Sequence, residues 1–275
     1  MFIRDEIVEA NKKVHSKLAQ VYNENEPHFR PENIAKVSAN LKNIVDKYNN
    51  PKLLDVGCGT GFIINIVKDW CEKVYGIDVT QEMLDRIEKS KNVELINGMA
   101  ENLPFEENTF EVATAYSFIH HLHDYKEVLN EMYRVLKKGG TLYIDLEPNK
   151  HFWQSVQEGI EINKKISSQI VEKEILSVNH TGTILQEKYN IDPVDFDKAE
   201  YYKNILGGID PYKMKKDLEY IGFKNVEITF EWFIGEGYYL HNASKSDYTI
   251  ISNFLTQVLP VSENLYKYFK ITAEK

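Results

Sequence analysis

The chain has 275 residues, of which 43% are hydrophobic, so it can bury one sizeable core and is not a disordered chain. No apolar run reaches the length of a membrane span, and charged residues interrupt the apolar positions near the N-terminus, which excludes a signal-peptide pattern. The net charge of −9, without a basic stripe, disfavours a nucleic-acid partner. We therefore expect a cytoplasmic protein without membrane insertion, in which Cys58 and Cys71 are free thiols.

Residues 1–50 are predicted to form an N-terminal helical arm or lid. Apolar residues recur there at helical spacing, with one interruption at the sequence NENEPHFRPE, residues 23–32. From residue 51 the pattern changes to short apolar strands that alternate with amphipathic helices, up to the strand TLYIDLEP at residues 141–148. Such alternation is typical of a parallel sheet with helices on both faces, so residues 51–148 are predicted to form a Rossmann-like core.

The fourth predicted strand, residues 110–117, leads into a helix with recognisable ends. Asp124 and Glu127, three residues apart, match a capping box at the start of that helix. Gly139 and Gly140 are expected to end it, because glycine adopts the left-handed backbone that closes many helices.

The remainder of the chain is predicted to cover the sheet and to complete it. Residues 149–210 lack strand alternation and have helical stretches, for example around residues 160–176, which indicates an insertion packed over the carboxyl edge of the sheet. It is expected to cover the substrate, and we call this segment the cover. Residues 211–275 are predicted to supply a helix at 211–222 and two aromatic-rich strands. The fold class is therefore α/β, a doubly wound, mostly parallel seven-stranded sheet.

The sequence LLDVGCGTG, residues 53–61, joins the first strand to a helix through a glycine-rich loop. A dinucleotide fingerprint would need glycine at position 62, which is Phe62, and the carboxylate of Asp55 would repel a pyrophosphate. S-adenosylmethionine carries a cationic ammonium and a cationic sulfonium, so an acid at the strand end favours it. The weaker alternative is that the glycines only allow a tight turn and bind no ligand.

Asp78 ends the second strand, twenty-one residues after Gly57. At this distance an acidic side chain can accept hydrogen bonds from the ribose hydroxyls of an adenosine. This assignment supports nucleoside binding but fits either cofactor class.

Four segments carry a family resemblance: LLDVGCGTG, YGID, NGMAENLPFEENTFEVATAYSFIHHL and EMYRVLKKGGTLYIDLEP. They resemble class I S-adenosylmethionine-dependent methyltransferases of the small-molecule and quinone type, over roughly residues 50–148. The resemblance implies S-adenosylmethionine as cofactor and S-adenosylhomocysteine as product. It also implies that the glycine loop approaches the methionine part, that the second-strand acid holds the ribose and that the segment after the third strand lines the adenine. The cofactor residues predicted on this basis are Asp55, Gly57, Cys58, Gly59, Asp78, Val79, Met83, Met99, Ala100, Glu101, Tyr116 and Ser117.

Two positions depart from the pattern of the family. Met99 stands where relatives usually have an aspartate that accepts the adenine amino group. Glu111 stands where the fourth strand usually starts with aspartate, which keeps the charge. Ring packing and the Ala100 amide are expected to hold the adenine instead.

The loop after the fourth strand contains His120, His121 and His123 at the edge where ligands of open α/β sheets bind. A histidine there can remove the acceptor's proton, and resemblance to phosphoethanolamine methyltransferases pairs His121 with Tyr22 of the arm. His120 is the second candidate, although one of the two rings is expected to be structural. No metal cluster is predicted, because adjacent side chains should point apart and no carboxylate set completes a shell.

Several aromatic residues are weaker candidates for the acceptor pocket, with ordinary core packing as the alternative. Trp153, beside Glu147 and His151, is the best placed of them because it follows the carboxyl edge of the sheet. The others are His28 and Phe29 in the arm, and Trp232, Phe233, Tyr238 and Tyr239 near the C-terminus.

The predicted function is methyl transfer to oxygen, nitrogen or carbon of a small-molecule acceptor. A tRNA base is the alternative substrate, but the acidic chain and Tyr116-Ser117 in place of an Asn-Pro-Pro-Tyr signature disfavour it. A cofactor-binding regulatory module without methyl transfer would have the same glycine loop. A nicotinamide oxidoreductase is opposed by Phe62 and Asp55. The sequence leaves the acceptor open, and either a monomer or a homodimer is compatible with it.

Overall fold

The computed structural model describes residues 2–161, 171–172, 174–175 and 181–275. Its centre is a seven-stranded sheet with the strand order β3-β2-β1-β4-β5-β7-β6. The strands are β1 Lys52–Val56, β2 Lys73–Asp78, β3 Val93–Asn97, β4 Phe110–Tyr116, β5 Leu136–Pro148, β6 Lys224–Phe233 and β7 Tyr266–Glu274. Only β7 runs antiparallel to its neighbours, so the predicted fold class is confirmed.

Helices flank the sheet on both faces, as alternating strands and helices require. They are α1 Arg4–Leu18, α2 Tyr22–Asn25, α3 Pro31–Val45, α4 Phe62–Val67, α5 Gln81–Leu84, α6 Tyr125–Val135, α7 Lys150–Glu161, α8 Thr181–Tyr189, α9 Pro193–Ala199, α10 Pro211–Ile221, α11 Glu236–Asn242 and α12 Lys245–Gln257. Short 3₁₀ turns lie at Pro27–Phe29, Lys68–Trp70, Ile119–His121 and Glu263–Leu265, and a π turn lies at Tyr201–Ile205.

The topology brings the ends of the central strands together. Strand β1 lies between β2 and β4, and Asp55 is paired in register with Gly76 on one side and Thr114 on the other. Asp78 is the last residue of β2. Because these strands are parallel, their carboxyl ends share one edge, where ligands of open α/β sheets bind.

The arm is part of the core. Helix α3 buries Val37 and Leu41 completely in the apolar cluster that also contains Leu53 of β1. Helix α1 packs on α9, with Val14 against Phe196. The predicted arm therefore consists of two amphipathic helices that clamp the segment between them, residues 19–30, over the edge of the sheet.

The boundary between α6 and β5 differs from the expectation. The helix ends at Val135, because Leu136 is already extended and pairs with Phe110 of β4. Gly139 does have a left-handed backbone, with φ of 76°, but it lies inside the strand, where the register shifts between the Phe110 and Val112 pairs. The glycines therefore do not end the helix. They allow a strand irregularity, which also requires a left-handed backbone.

Other expectations have mixed outcomes. The helix at residues 211–222 and the two final strands are present within one or two residues of the predicted bounds. The connection between those strands contains α11 and α12, which the sequence pattern does not predict. The helix expected around residues 160–176 lies largely outside the described residues. Within the described ranges, no helix has both the length and the apolar composition that a membrane crossing needs.

We expect Leu41→Ala to lower the free energy of unfolding by about 2–5 kcal/mol, because it leaves a cavity at a completely buried contact between arm and sheet. The matched control is Leu240→Ala, at a side chain that is 41% exposed, with an expected change within about 0.5 kcal/mol. Urea denaturation of both variants measures the difference. Equal effects would show that the arm is not packed as described.

Candidate active site

A cavity of about 970 Å³, including its open mouth, lies between the carboxyl ends of the central strands and the arm. All twelve predicted cofactor residues line it: Asp55, Gly57, Cys58, Gly59, Asp78, Val79, Met83, Met99, Ala100, Glu101, Tyr116 and Ser117. Tyr22 and His121 line it as well, whereas His120 does not.

The glycine loop forms the floor of the cavity. The amides of Gly57 and Cys58 both donate to the carbonyl of Ile77, at 2.8 and 3.1 Å, which fastens the loop to β2. Gly57 has φ of 69°, and a Cβ atom there would lie 2.0 Å from the ring of Phe118. Only glycine satisfies both conditions, so the loop leaves backbone directly accessible to a ligand.

Asp55 is buried where β1 ends, and its Oδ1 accepts a hydrogen bond of 2.7 Å from the hydroxyl of Thr114. Burial raises the pKa of Asp55 to about 7, and the neighbouring carboxylate of Asp78 contributes in the same direction. Both effects disfavour the charged form of this carboxyl group in the absence of a ligand.

Asp78 holds the loop from the other side. Its Oδ2 accepts from the amide of Gly59 at 2.9 Å, and its Oδ1 accepts from the amide of Thr80 at 2.8 Å. Burial raises its pKa, although the two amides and nearby His15 act in the opposite direction. A carboxylate has about four acceptor positions, so Asp78 can accept a ligand hydroxyl in addition to its bonds with the Gly59 amide and with Thr80, as the predicted ribose contact requires.

The wall of the cavity has an unusual charge. Asp55, Asp78 and Glu101 are among the described lining residues, and no lysine or arginine is. Arg4 approaches Glu101 only to 4.0 Å, from outside the lining. The described cavity is therefore negative when its acids are ionised, and it attracts cationic ligands while repelling phosphate.

His120 lies one layer below the cavity. Its Nδ1 is 2.9 Å from Glu147, whose side chain is completely buried and also accepts the amides of Phe118, Ile119 and His120 at 2.9 to 3.0 Å. Glu147 thus fixes the turn after β4 and is not among the described lining residues of the cavity. The ring of His120 is in the structural position that was expected for one member of the pair.

His121 occupies the cavity wall. Its Nδ1 is 2.6 Å from the carbonyl of Ala199, and its own carbonyl accepts a hydrogen bond from the side chain of Asn11 at 3.0 Å. Burial holds its pKa well below the usual range, with neighbouring His120 adding to the effect, so the ring is neutral at physiological pH. A neutral imidazole in a ligand cavity can accept a proton.

Tyr22 faces the same cavity from the start of α2, but a ring stands between it and His121. His15 of α1 makes edge contact with His121 at a centroid distance of 5.0 Å and lies 6.2 Å from Tyr22. The sequence analysis did not single out His15. The helical spacing of Asn11 and His15, which both line the cavity, is a signal that could have identified this face.

The expectation that adjacent histidines point apart is wrong. The 3₁₀ turn at Ile119–His121 places the rings of His120 and His121 4.0 Å apart, and ligand atoms of both rings and of Glu200 lie within 4.8 Å of one another. Such a set could hold a metal ion. However, Lys203 already neutralises Glu200 at 3.0 Å, and Ala199 engages His121. The charges and contacts present are those of an ion-pair network.

The remaining aromatic candidates divide into two groups. His28 and Phe29 line the cavity and pack on Phe62. The other candidates are not among the described lining residues. His151 lies between Asp210 and Glu263. Helix α7 contains Trp153, strand β6 contains Trp232 and Phe233, and helix α11 contains Tyr238 and Tyr239. Strand β6 is the edge strand at the far side of β7, which is why its aromatic residues do not reach the cavity.

Comparison with known proteins gives a family for part of the chain. Residues 54–144 match the family described as a methyltransferase domain. Demethylmenaquinone methyltransferases of Chlorobaculum tepidum and Bacillus mycoides are each 39% identical to this chain, over 100 and 115 residues. Both alignments cover 36% of this chain, and they cover 41% and 46% of the relatives. The matched region thus spans less than half the length of these curated relatives.

Solved structures extend the comparison to the whole fold. A SAM-dependent methyltransferase from Archaeoglobus fulgidus superposes with a TM-score of 0.52 at 19% identity, over 88% of this chain and 94% of the other. Phosphoethanolamine N-methyltransferase 2 from Haemonchus contortus, bound to phosphomonomethylethanolamine and S-adenosylhomocysteine, superposes with a TM-score of 0.55 at 17% identity, over 100% of this chain and 60% of the other. At these identities the likeness concerns the fold.

We expect the free energy of unfolding of the ligand-free protein to fall as pH rises from about 4 to 7, partly because of Asp55. Its folded pKa of about 7 lies above the usual aspartate value of 3.8, so the folded state binds more protons than the unfolded state in this window. Asp55→Asn should remove up to about 1.4 kcal/mol per pH unit of that slope. Urea denaturation from pH 4 to 8 measures it, and an unchanged slope contradicts the burial argument.

Proposed function

We propose that this chain, which belongs by its fold and by the domain at residues 54–144 to the class I S-adenosylmethionine-dependent methyltransferases, transfers a methyl group from S-adenosylmethionine to a small molecule. The observation that carries the proposal is the pair of carboxylates at the ends of β1 and β2, Asp55 buried and Asp78 partly buried, in a cavity without described lysine or arginine lining. The proposal accounts for this charge because the cofactor brings positive charge to the cavity.

The residues present fit this cofactor better than a nicotinamide dinucleotide. Asp55 and Asp78 offer acceptors and negative charge to the ammonium, the sulfonium and the ribose hydroxyls. A pyrophosphate at the same loop would meet Asp55 and Asp78 with no described lining cation to offset the repulsion. At the other end, Met99 and Ala100 offer ring packing and a backbone amide for an adenine.

The lining also restricts the acceptor. Aromatic rings of Tyr22, Phe29 and Phe62 dominate the arm side of the cavity. An apolar, neutral acceptor fits such a wall, whereas a phosphate or a tRNA backbone would require cations that the described lining lacks. A naphthoquinol, the acceptor class that the names of the Chlorobaculum and Bacillus relatives suggest, has this chemistry. Phosphoethanolamine does not.

The chemistry requires little of the protein besides alignment and removal of one proton. The bound cofactor supplies an activated methyl group, so a group on the acceptor attacks the methyl carbon while the bond to sulfur breaks. His121, neutral and in the cavity wall, is the proposed proton acceptor, and Tyr22 is proposed to close over the reacting groups. His120 is proposed only to support the turn.

We expect S-adenosylmethionine and S-adenosylhomocysteine to bind and NAD not to bind in calorimetric titrations. Asp78→Ala should weaken S-adenosylmethionine by about 1.5–3 kcal/mol, the scale of hydrogen bonds to a charged group. Asp78→Asn retains one acceptor for the loop amides, so it should weaken S-adenosylmethionine binding by less. Binding of NAD alone, or unchanged affinity in a folded Asp78→Ala protein, contradicts the assignment.

We expect Tyr22→Phe and His121→Asn each to lower kcat by about 10-fold or more, while the dissociation constant of S-adenosylmethionine changes by less. Loss of Tyr22 should also speed cofactor exchange if it acts as a lid. The matched control is Tyr220→Phe, at a side chain that is 93% exposed and far from the cavity lining. An intact kcat in Tyr22→Phe, together with unfolding of His121→Asn, would assign both residues to structure.

A screen of acceptors tests the proposed substrate class. Purified protein and S-adenosylmethionine are incubated with a short-chain naphthoquinol, phosphoethanolamine or unmodified tRNA, and S-adenosylhomocysteine is measured by mass spectrometry. Formation of product with the naphthoquinol is expected. Turnover only with phosphoethanolamine or tRNA contradicts the charge argument, and binding of cofactor without turnover on any acceptor favours a regulatory module.

A further inference from the structure

A short segment of the cover, Ala199 to Lys203, contacts the histidine pair from outside the methyltransferase domain. Helix α9 ends at Ala199, whose carbonyl lies 2.6 Å from Nδ1 of His121. Glu200 follows, with its two carboxylate oxygens 3.7 Å from Nδ1 of His121 and from Nε2 of His120. The next residues form the π turn at Tyr201–Ile205, a type of turn that is often found at functional sites.

These contacts determine which nitrogen of His121 carries hydrogen. A carbonyl can only accept a hydrogen bond, so Nδ1 of His121 must be the protonated nitrogen of the neutral ring. The carboxylate of Glu200 on the same side imposes the same choice. Nε2, on the opposite side of the ring, is left with its lone pair.

The same segment supplies charge for the protonated state of the ring. When Nε2 gains a proton, His121 becomes an imidazolium beside two other imidazoles, His120 and His15, and burial disfavours that charge. Glu200 is the carboxylate that opposes this effect. Lys203, 3.0 Å away, holds the pKa of Glu200 far below its usual range despite burial, so Glu200 stays ionised and does not itself take the proton.

We propose that Glu200, with the carbonyl of Ala199, is a positioning group that makes His121 the proton acceptor of methyl transfer. This inference rests on the proposed function. As the acceptor's oxygen, nitrogen or carbon forms its bond to the methyl carbon, the bond from that carbon to sulfur breaks and its electron pair stays on sulfur. The proton of the acceptor passes to Nε2 of His121, and the resulting charge is balanced by Glu200.

The groups that position His121 depend on the packing of the cover against the arm. Ala199, Glu200 and Lys203 all belong to the cover, and α9 packs on α1 of the arm, where Lys13 forms an ion pair with Asp195. The tautomer and the counter-charge of His121 are therefore complete only when the cover is seated on the arm.

The kinetic test uses Glu200→Gln in the full-length protein with S-adenosylmethionine and the naphthoquinol. We expect kcat to fall at least 10-fold while the KM for the naphthoquinol and the dissociation constant of S-adenosylmethionine stay within about 2-fold. The matched control is Glu187→Gln on neighbouring helix α8, at an exposed side chain, which should retain wild-type kcat. Glu200→Gln/Lys203→Met, which removes both members of the ion pair, guards against misfolding from an unpaired Lys203 and should show the same loss.

The decisive comparison repeats Glu200→Gln in a His121→Asn background. Glu200 has no histidine to position in that background, so the losses of kcat caused by Glu200→Gln and by His121→Asn should not add. Additive losses, or a lower affinity for S-adenosylmethionine with unchanged kcat, overturn the proposal. Loss of activity on dialysis against EDTA that Zn²⁺ restores would also overturn it, because His120, His121 and Glu200 would then be metal ligands.

A second readout does not depend on turnover. In ¹⁵N-labelled protein saturated with S-adenosylhomocysteine, NMR should show His121 neutral at pH 7 with hydrogen on Nδ1. Hydrogen on Nε2 overturns the positioning role whatever the kinetics. If the Nδ1 tautomer is found but no acceptor in the screen is methylated, the proposed function fails while the placement of His121 stands, so the two failures can be distinguished.

Discussion

The site depends on two acids whose negative charge, once they ionise, has no lysine or arginine counter-ion among the described lining residues. Asp55 and Asp78 end two neighbouring parallel strands, both are largely buried, and the described cavity lining contains no lysine or arginine. Burying carboxylates in this way costs free energy unless something positive meets them. Hydrogen bonds from Thr114, Gly59 and Thr80 reduce the cost, but they do not supply a counter-ion. A bound cationic ligand supplies this positive charge.

The elements around this charge have separate tasks. The domain at residues 54–144 supplies the glycine loop and the two acids. The arm contributes His15 and Tyr22, and the cover contributes Ala199 and Glu200. These latter segments lie outside the domain match, and in the proposed function they determine which acceptor enters and how its proton leaves. On that proposal, a cofactor-binding half is joined to an acceptor-binding half built by the rest of this chain.

The sequence predicted which residues of the glycine loop and of the strand ends line the cavity, because the signals for them are local. A glycine-rich turn after an apolar strand, and an acid at the end of the next strand, are read within about twenty-five residues and need no knowledge of distant contacts. The acceptor half could not be predicted in this way. The side chain of Asn11 bonds to the carbonyl of His121, 110 residues away in the sequence, and the ring of His121 contacts the carbonyl of Ala199, 78 residues away. No rule of local sequence spacing connects such residues. The Gly139 error has a similar origin, because a left-handed glycine fits both a helix end and a strand irregularity.

The most direct test of the central claim measures protons during cofactor binding. S-adenosylmethionine is titrated at pH 6.5 in two buffers of different ionisation enthalpy, with wild-type protein, Asp55→Asn and Asp145→Asn. Burial also raises the pKa of Asp145 to about 7, but this residue is not among the cavity lining, so it is the matched control. The account predicts release of roughly half to one proton by wild type and Asp145→Asn, and much less by Asp55→Asn, because the cation ionises Asp55. Binding without proton release, or equal release by all three proteins, would contradict it.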